Sequence, residues 1–155
     1  MPLEFEVAQE FEQSPREVFQ ALTDLDRFTE WVPGLLALER LDQGPVGPET
    51  RWKETRTFLG KEATEEYEIV TFGPPSVLAV RAHGSRGGTE HGEYIFRYRI
   101  TPEGSGCKVT LHGQVRGLSG IAKWLSHLFA RTYRSARAQD LEALAEHLNG
   151  DAASS

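Results

Sequence analysis

The feature that most limits what this sequence can fold into is a long helical segment at its C-terminal end, predicted from residue 119 to about residue 149. From Ile121 onward this segment contains no glycine or proline, and its apolar residues recur at the spacing of one helix face. Ser119 can cap the start, and Asn149 with Gly150 can end the helix. At 1.5 Å per residue such a helix is roughly 45 Å long, so we expect it to cross a whole sheet.

Three arginines interrupt the apolar stripe in the middle of this helix: Arg131, Arg134 and Arg137. On a helical projection Arg134 and Arg137 fall near the stripe, whereas Arg131 falls toward its edge. Two interpretations are open. The side chains extend from the flank of the helix to water, or one or two of them face an internal cavity and meet an anionic or polar ligand.

The rest of the chain predicts seven strands and two short helices. Apolar and polar residues alternate, as in strands with one buried face, over residues 3–12, 35–41, 49–58, 61–72, 76–83, 93–101 and 108–116. Between the first two strands, Ser14 and Glu17 have the spacing of a capping box that starts one helix, and residues 24–31 form a second. Short turns between successive strands predict an antiparallel sheet, and the long helix is the element able to cover its apolar face.

Four short sequences accompany this order of elements: Ser14-Pro15-Arg16-Glu17-Val18-Phe19, Leu22-Thr23-Asp24, Trp31-Val32-Pro33-Gly34 and Gly47-Pro48-Glu49-Thr50-Arg51-Trp52. Together they resemble the START-like, helix-grip superfamily (SRPBCC), and within it the polyketide cyclase/dehydrase and lipid-transport branch. The resemblance covers nearly the whole chain. It implies an α+β helix-grip fold: a curved seven-stranded antiparallel sheet around the long C-terminal helix, two short helices after strand 1, and a cavity between sheet and helix.

That resemblance implies one START-like domain over residues 1–150, and residues 151–155 are predicted to be a disordered tail. Members of the superfamily include lipid and hormone carriers, aromatic cyclases and cochaperones, so the fold alone does not choose a function. The formal net charge of −6 argues against a nucleic-acid surface, which needs a basic patch. The lone Cys107, the lack of a long apolar run and an N-terminus without a signal pattern favour a soluble, cytoplasmic protein without stable membrane insertion.

Charged residues on the third and fourth predicted strands are the main candidates for a site. Glu54 and Arg56 share one face of the third strand, and Glu65 lies on the fourth. If these faces point inward, Arg56 and Glu65 anchor a polar ligand group, and Glu54 or Glu65 with a raised pKa is a candidate catalytic base. If the register is opposite, they form cross-strand pairs near solvent. The predicted ligand-binding residues are Trp52, Arg56, Glu65, Tyr67, Phe96, Tyr98 and Leu128.

No metal or cofactor is expected. The histidines do not show the spacing of a metal-binding helix motif, and His83 and His91, which flank a glycine-rich loop, are more typical of unligated imidazoles. Cys107 follows a turn without an identifiable histidine partner and is interpreted as an ordinary small residue rather than a nucleophile.

The leading functional prediction is therefore the binding of a small hydrophobic or amphipathic molecule, such as a lipid, polyketide or aromatic metabolite, between sheet and helix. A cyclase or dehydratase that uses a cavity glutamate as base is one alternative. Another is a surface-acting interaction module, such as a cochaperone or toxin–antitoxin partner, which predicts a narrow or filled interior and an exposed apolar patch. Whether a reaction is catalysed, which ligand is bound and the oligomeric state stay open.

Overall fold

A computed structural model describes residues 3–58, 60–84, 93–116 and 126–154. The elements in chain order are β1 (Leu3–Phe11), α1 (Pro15–Thr23), a 3₁₀ turn (Leu25–Arg27), α2 (Phe28–Trp31), β2 (Leu35–Arg40), β3 (Arg51–Phe58), β4 (Lys61–Gly73), β5 (Val77–Gly84), β6 (Glu93–Glu103), β7 (Gly106–Arg116) and α3 (Ser126–Ser154). This is the predicted α+β helix-grip fold, and the predicted strand bounds agree with it to within a few residues.

The long helix differs from its prediction at the C-terminal end. The predicted start at 119–125 lies outside the described residues. The helix continues through the predicted stop at Asn149 and Gly150 and ends at Ser154, so residues 151–154 extend the helix rather than leaving it as a tail. The physical reason is local: Gly150 does not adopt a positive φ, and the alanine-rich segment after it favours helix.

The seven strands form one antiparallel sheet in the order β1-β7-β6-β5-β4-β3-β2. The first strand therefore pairs with the last, and Leu3 lies opposite Val115. Helix α3 packs against β1 at this end of the sheet. There Arg134 donates a hydrogen bond from Nε to the backbone carbonyl of Glu6 at 3.2 Å. A helix side chain thus satisfies a backbone acceptor on the edge strand, which otherwise would be open to another strand.

Alternation along the strands places one face of the sheet in the core. On β3 and β4, Trp52 and Tyr67 face inward and are buried, whereas Arg51 and Glu68, their neighbours in sequence, point outward. A bulge breaks this pattern on β4, because Ile69 pairs with Val80 and the next pair is Thr71 with Ala79. The bulge residue, Val70, is 36% exposed.

Helices α1 and α2 close one end of the sheet. The predicted capping box is confirmed: the backbone N–H of Glu17 donates to the Ser14 hydroxyl at 3.2 Å, and the Glu17 carboxylate accepts from Ser14. The second predicted helix, 24–31, is confirmed as helical over 25–31, where it divides into a 3₁₀ turn and the four residues of α2. Its apolar residues Leu25, Phe28 and Trp31 recur every three positions, which suits three residues per turn.

The turn after α2 requires a glycine and positions part of the site. Gly34 has φ +73°, and a β-carbon there would lie 2.7 Å from the carbonyl oxygen of Thr57. The Thr57 backbone N–H donates to the Gly34 carbonyl at 2.8 Å. This close approach fixes the turn against β3, so that the carbonyl of Pro33 accepts a hydrogen bond from Arg56 at 3.2 Å.

Candidate functional site

A cavity of about 50 Å³ lies between the inner face of the sheet, the short helices and α3. Most of its wall is apolar. The short helices and the turn after α2 contribute Leu22, Leu25, Phe28, Trp31 and Val32, and the sheet contributes Ile69, Leu78, Val80 and Phe96. Polar and aromatic groups come from β3, β4, β6 and α3, namely Trp52, Glu54, Arg56, Tyr67, Tyr98, Arg137 and Asp140, beside the apolar Leu141.

Trp52 and Tyr67 form a stacked aromatic pair in this wall. They lie opposite each other on β3 and β4, with ring centroids 5.6 Å apart and an angle of 11° between the planes. Both are buried, so the pair contributes apolar surface to the cavity and stiffens the two strands that carry the charged residues.

Glu54 is a carboxyl group buried in the wall, with 6% of the residue exposed. Its Oε1 accepts a hydrogen bond from the indole N–H of Trp52 at 3.0 Å. Its second oxygen has no hydrogen-bond partner among the described residues. Burial raises the pKa of Glu54, and the Trp52 hydrogen bond and the nearby Arg137 and Arg56 offset this only in part.

Arg56 connects the sheet to the helix. Its Nη2 and Nη1 donate to the two carboxylate oxygens of Asp140 at 2.6 and 3.2 Å, and its Nε donates to the Pro33 carbonyl. Asp140 is buried on α3, with 7% exposed. A two-pronged arginine–carboxylate pair in such a place is strong and fixes the relative position of its two elements.

Arg137 shares the same carboxylate from one turn earlier on α3. Its Nη1 lies 3.2 Å from Asp140 Oδ2, its Nη2 donates to the Tyr67 hydroxyl at 3.4 Å, and its guanidinium lies 4.1 Å from the centre of the Phe96 ring. Tyr67 in turn donates to Glu65 at 2.9 Å. Two arginines, a tyrosine and two carboxylates therefore form one continuous network beside the cavity.

Sequence comparison identifies the family. The family model described as polyketide cyclase / dehydrase and lipid transport matches residues 2–149. The chain belongs to this family. No curated protein sequence matches the chain.

Solved structures similar to this member of the polyketide cyclase/dehydrase family agree on the fold. The Zhui aromatase/cyclase from Streptomyces sp. R1128 is 14% identical, with 95% of this chain and 93% of that one covered and a TM-score of 0.78. The protein TTHA0849 from Thermus thermophilus is 21% identical, with 99% and 100% covered and a TM-score of 0.77. Ara h 8.0201 is 16% identical, with 93% and 99% covered and a TM-score of 0.67. At these identities the likeness shows the fold alone.

The fold of this family member brings most of the predicted site residues together. Those that line the cavity are Trp52, Glu54, Arg56, Tyr67, Phe96 and Tyr98. Glu65 is not among the described lining residues and reaches the cavity only through the Tyr67 hydroxyl. The side chain of Leu128 lies outside the described residues. That any of these residues contacts a ligand stays a prediction.

The two interpretations of the helix arginines apply to different residues. Arg137 faces the cavity, as the second interpretation requires, although no ligand contact is tested by this geometry. Arg131 and Arg134 are exposed on the flank of α3, as the first requires, and Arg134 also donates to the Glu6 carbonyl on β1. Sequence reasoning missed Asp140. A usable pattern was present, since Asp140 lies three positions after Arg137 and next to the buried Leu141.

Other candidate groups lie away from the cavity or outside the described residues. The hydroxyls of Tyr94 and Tyr133 hydrogen-bond each other at 2.8 Å and are not among the described lining residues. His91, the loop around it and the side chain of His83 are outside the described residues. Cys107 is buried, and burial raises the pKa of its thiol, which disfavours a nucleophilic thiolate. Within the described residues, no helix combines the length and the apolar character needed to cross a membrane.

Proposed function

We propose that the protein binds a small hydrophobic or amphipathic molecule, such as a lipid, polyketide or aromatic metabolite, in the cavity between the sheet and α3. The observation that carries the proposal is the composition of the cavity wall. Apolar side chains surround most of it. Of its polar groups, Arg56, Arg137, Tyr67 and Asp140 belong to one connected network, and Glu54 is bonded to Trp52 beside them. Such a wall favours a ligand whose carbon skeleton is buried, at about 25 cal/mol per Å², and whose polar group sets its orientation.

The volume of the cavity limits what enters without a change of shape. At about 10–15 Å³ for one water molecule, 50 Å³ holds a few waters. A larger ligand therefore widens the cavity as it binds. The side most able to move is α2, where Trp31 lines the cavity but is only half-buried. Arg56 holds α3 through Asp140 and the turn after α2 through the Pro33 carbonyl.

A cyclase or dehydratase is the second candidate, and Glu54 is the observation that favours it. A buried carboxyl group with a raised pKa and one unbonded oxygen beside a cavity is suited to proton transfer. The family description names cyclases and dehydrases, and one similar structure is an aromatase/cyclase. Under this candidate Glu54 moves a proton on the bound molecule, and the surrounding apolar wall keeps water away from it.

A pair of valine variants tests whether the cavity binds a ligand. Val80 is buried in the cavity wall, and Val70 is exposed on the bulge of β4. The neutral fluorophore N-phenyl-1-naphthylamine, which brightens in apolar surroundings, is titrated into each protein. Val80→Phe should weaken its binding by about tenfold or more because the new ring occupies the cavity, and Val70→Phe should leave it unchanged. Equal binding by the two variants, both folded by thermal unfolding, contradicts the proposal.

Native mass spectrometry separates a carrier from a dehydratase. The wild-type protein and Glu54→Gln are purified from the same host, and any retained small molecule is weighed. A carrier retains the same molecule in both proteins. A dehydratase that needs Glu54 leaves in the variant a precursor heavier by one water than the product in the wild type.

A further inference from the structure

We propose that the cavity binds a hydrophobic molecule with a carboxylate group, and that the guanidinium of Arg137 and the hydroxyl of Tyr98 hold this carboxylate. This inference rests on the proposed ligand-binding function, because it names the polar end of the ligand for the same cavity. Two features of the site lead to it independently. Two arginines share one carboxylate, and the Tyr98 hydroxyl has no partner among the described residues.

The two arginines of the wall share their carboxylate unequally. Arg56 donates to both oxygens of Asp140, at 2.6 and 3.2 Å, and its third nitrogen donates to the Pro33 carbonyl. Arg137 reaches one of these oxygens, at 3.2 Å, and that oxygen also accepts from Arg56. Asp140 is therefore mainly the partner of Arg56, and in the described part of the chain Arg137 lacks a carboxylate of its own.

The guanidinium of Arg137 has bonding capacity left. Among the described residues its Nε makes no hydrogen bond, and its other polar contact is a long one, to the Tyr67 hydroxyl at 3.4 Å. The side chain is only 12% exposed. An arginine is rarely buried so deeply without a full partner. Because its charge is already removed from water in the free protein, a ligand carboxylate gains a charge-assisted pairing at a reduced desolvation cost.

Glu54 does not supply the second carboxylate. Its carboxyl group accepts from the Trp52 indole, and within the described residues it forms no ion pair with Arg56 or Arg137. The partners of Arg137 are therefore incomplete whether Glu54 is ionised or neutral.

Tyr98 places a second donor next to Arg137. The guanidinium lies 4.1 Å from the centre of the Phe96 ring, and Tyr98 is the next inward-facing residue of β6, roughly 7 Å further along the strand. Both side chains line the cavity. Burial raises the pKa of Tyr98, and the charge of Arg137 is the largest influence that opposes this, as expected for neighbouring groups. A protonated tyrosine donates one hydrogen bond, which a carboxylate oxygen accepts.

The rest of the wall suits the hydrocarbon part of such a ligand. Buried apolar side chains from the short helices and the sheet line it, namely Leu22, Leu25, Phe28, Ile69 and Leu78. A molecule with one carboxylate and an apolar body satisfies both parts of the wall at once. The ligand class that the inference names is thus an aromatic or aliphatic carboxylic acid.

Four small probes test the ligand chemistry: benzoate, benzamide, toluene and benzylammonium. They share a benzene ring and differ in the attached group. Binding at pH 7 is followed by NMR through the indole N–H of Trp52, which lines the cavity, and Trp52→Phe assigns that resonance. Benzoate should bind about tenfold or more tightly than benzamide and toluene, as expected for hydrogen bonds to a charged group, and benzylammonium should bind most weakly.

The variant Arg137→Gln tests the guanidinium. It removes the charge but leaves Asp140 with both of its bonds from Arg56, so the variant should fold, which thermal unfolding checks. Its preference for benzoate over benzamide should disappear, and its affinity for toluene should stay within about twofold. The wild-type order of the probes and a variant at Tyr98 decide the inference even where Arg137→Gln does not fold.

A pair of tyrosine variants tests the hydroxyl. Tyr98→Phe removes only the donor and should weaken benzoate about threefold or more without changing toluene. Tyr94→Phe is the matched control on the same strand, because its hydroxyl bonds Tyr133 and is not among the described lining groups. It should bind benzoate like the wild type. Equal benzoate affinities of the two variants overturn the role of Tyr98 in the inference.

The remaining outcomes also decide the inference. Glu54→Gln should bind benzoate at least as tightly as the wild type, because it removes no donor that the carboxylate uses; weaker binding overturns the inference. Benzamide, toluene or benzylammonium as the tightest probe overturns it too, as does an unchanged benzoate preference in Arg137→Gln. In these cases a probe still binds and the cavity function stands. If neither the probes nor the fluorophore bind the wild-type protein, the proposed function and the inference fail together.

Discussion

The carboxylate of Asp140 on α3 receives two hydrogen bonds from Arg56 on β3, at 2.6 and 3.2 Å, and a third from Arg137 at 3.2 Å. Asp140→Ala should therefore leave two largely buried guanidinium groups without their carboxylate. We expect the free energy of unfolding to fall by about 3–5 kcal/mol, measured by urea denaturation. The matched control is Glu66→Ala, which removes an exposed ion pair with Arg51 and should cost less than about 1 kcal/mol. Equal costs at the two sites would contradict the structural role given to Asp140.

The pH dependence of stability tests the environment of Glu54. Its pKa is raised in the folded protein, so the folded state holds a proton that the unfolded chain has released, and stability falls as the pH rises between the two pKa values. Glu54→Gln does not ionise. Its stability relative to the wild type should therefore increase from about pH 4.5, the ordinary glutamate value, and level off above the raised pKa. Urea denaturation of both proteins across a pH series measures this difference, and a difference constant with pH would refute the assignment.

The close contact of Phe5 with Gly113 predicts a steric effect. These residues face each other on β1 and β7, and a β-carbon at Gly113 would overlap the Phe5 ring. Gly113→Ala should lower the free energy of unfolding by about 1–3 kcal/mol, as measured by thermal or urea denaturation. Gly47→Ala is the control, because a β-carbon there meets no atom within 4 Å and should change stability little. A neutral Gly113→Ala would show that β1 shifts freely on β7.

The capping box of α1 predicts a smaller effect. Ser14→Ala removes the acceptor for the Glu17 N–H and should cost about 1 kcal/mol in the free energy of unfolding. Ser135→Ala, at an exposed position within α3, should be neutral or slightly stabilising because alanine favours helix. Differential scanning calorimetry of the two variants measures both, and an equal effect of the two would argue against the cap.

The sheet was predictable from the sequence because its evidence is local. Alternation along β3 placed Trp52, Glu54 and Arg56 on one face, and that face is the inner one. The capping box at Ser14 and Glu17 was equally local. Alternation does not say which face points inward. The cavity next to the inner face was predicted from the resemblance to the helix-grip superfamily.

The parts of the site that sequence reasoning missed depend on tertiary contact. Asp140 lies 84 positions from Arg56, and no local pattern joins a helix carboxylate to a strand arginine over that distance. Glu65 shares the inner face predicted for it, but its carboxylate bonds the Tyr67 hydroxyl and does not line the cavity. Alternation along a strand predicts the face of a residue and not the direction in which its side chain extends. The bulge at Val70 depends on pairing between β4 and β5, and its mark in the sequence is the shift of core-facing residues from Tyr67 and Ile69 to Phe72.

The pairing of β1 with β7 has a consequence for synthesis of the chain on the ribosome. Glu4 and Gln114, which lie opposite each other on these strands, are 110 positions apart. Contacts so distant in sequence close late and slow the assembly of the fold. Strand β1 therefore lacks its partner strand until β7 has been translated, and during that interval its apolar residues Phe5, Val7 and Phe11 are without the cover that β7 and α3 give them in the folded protein.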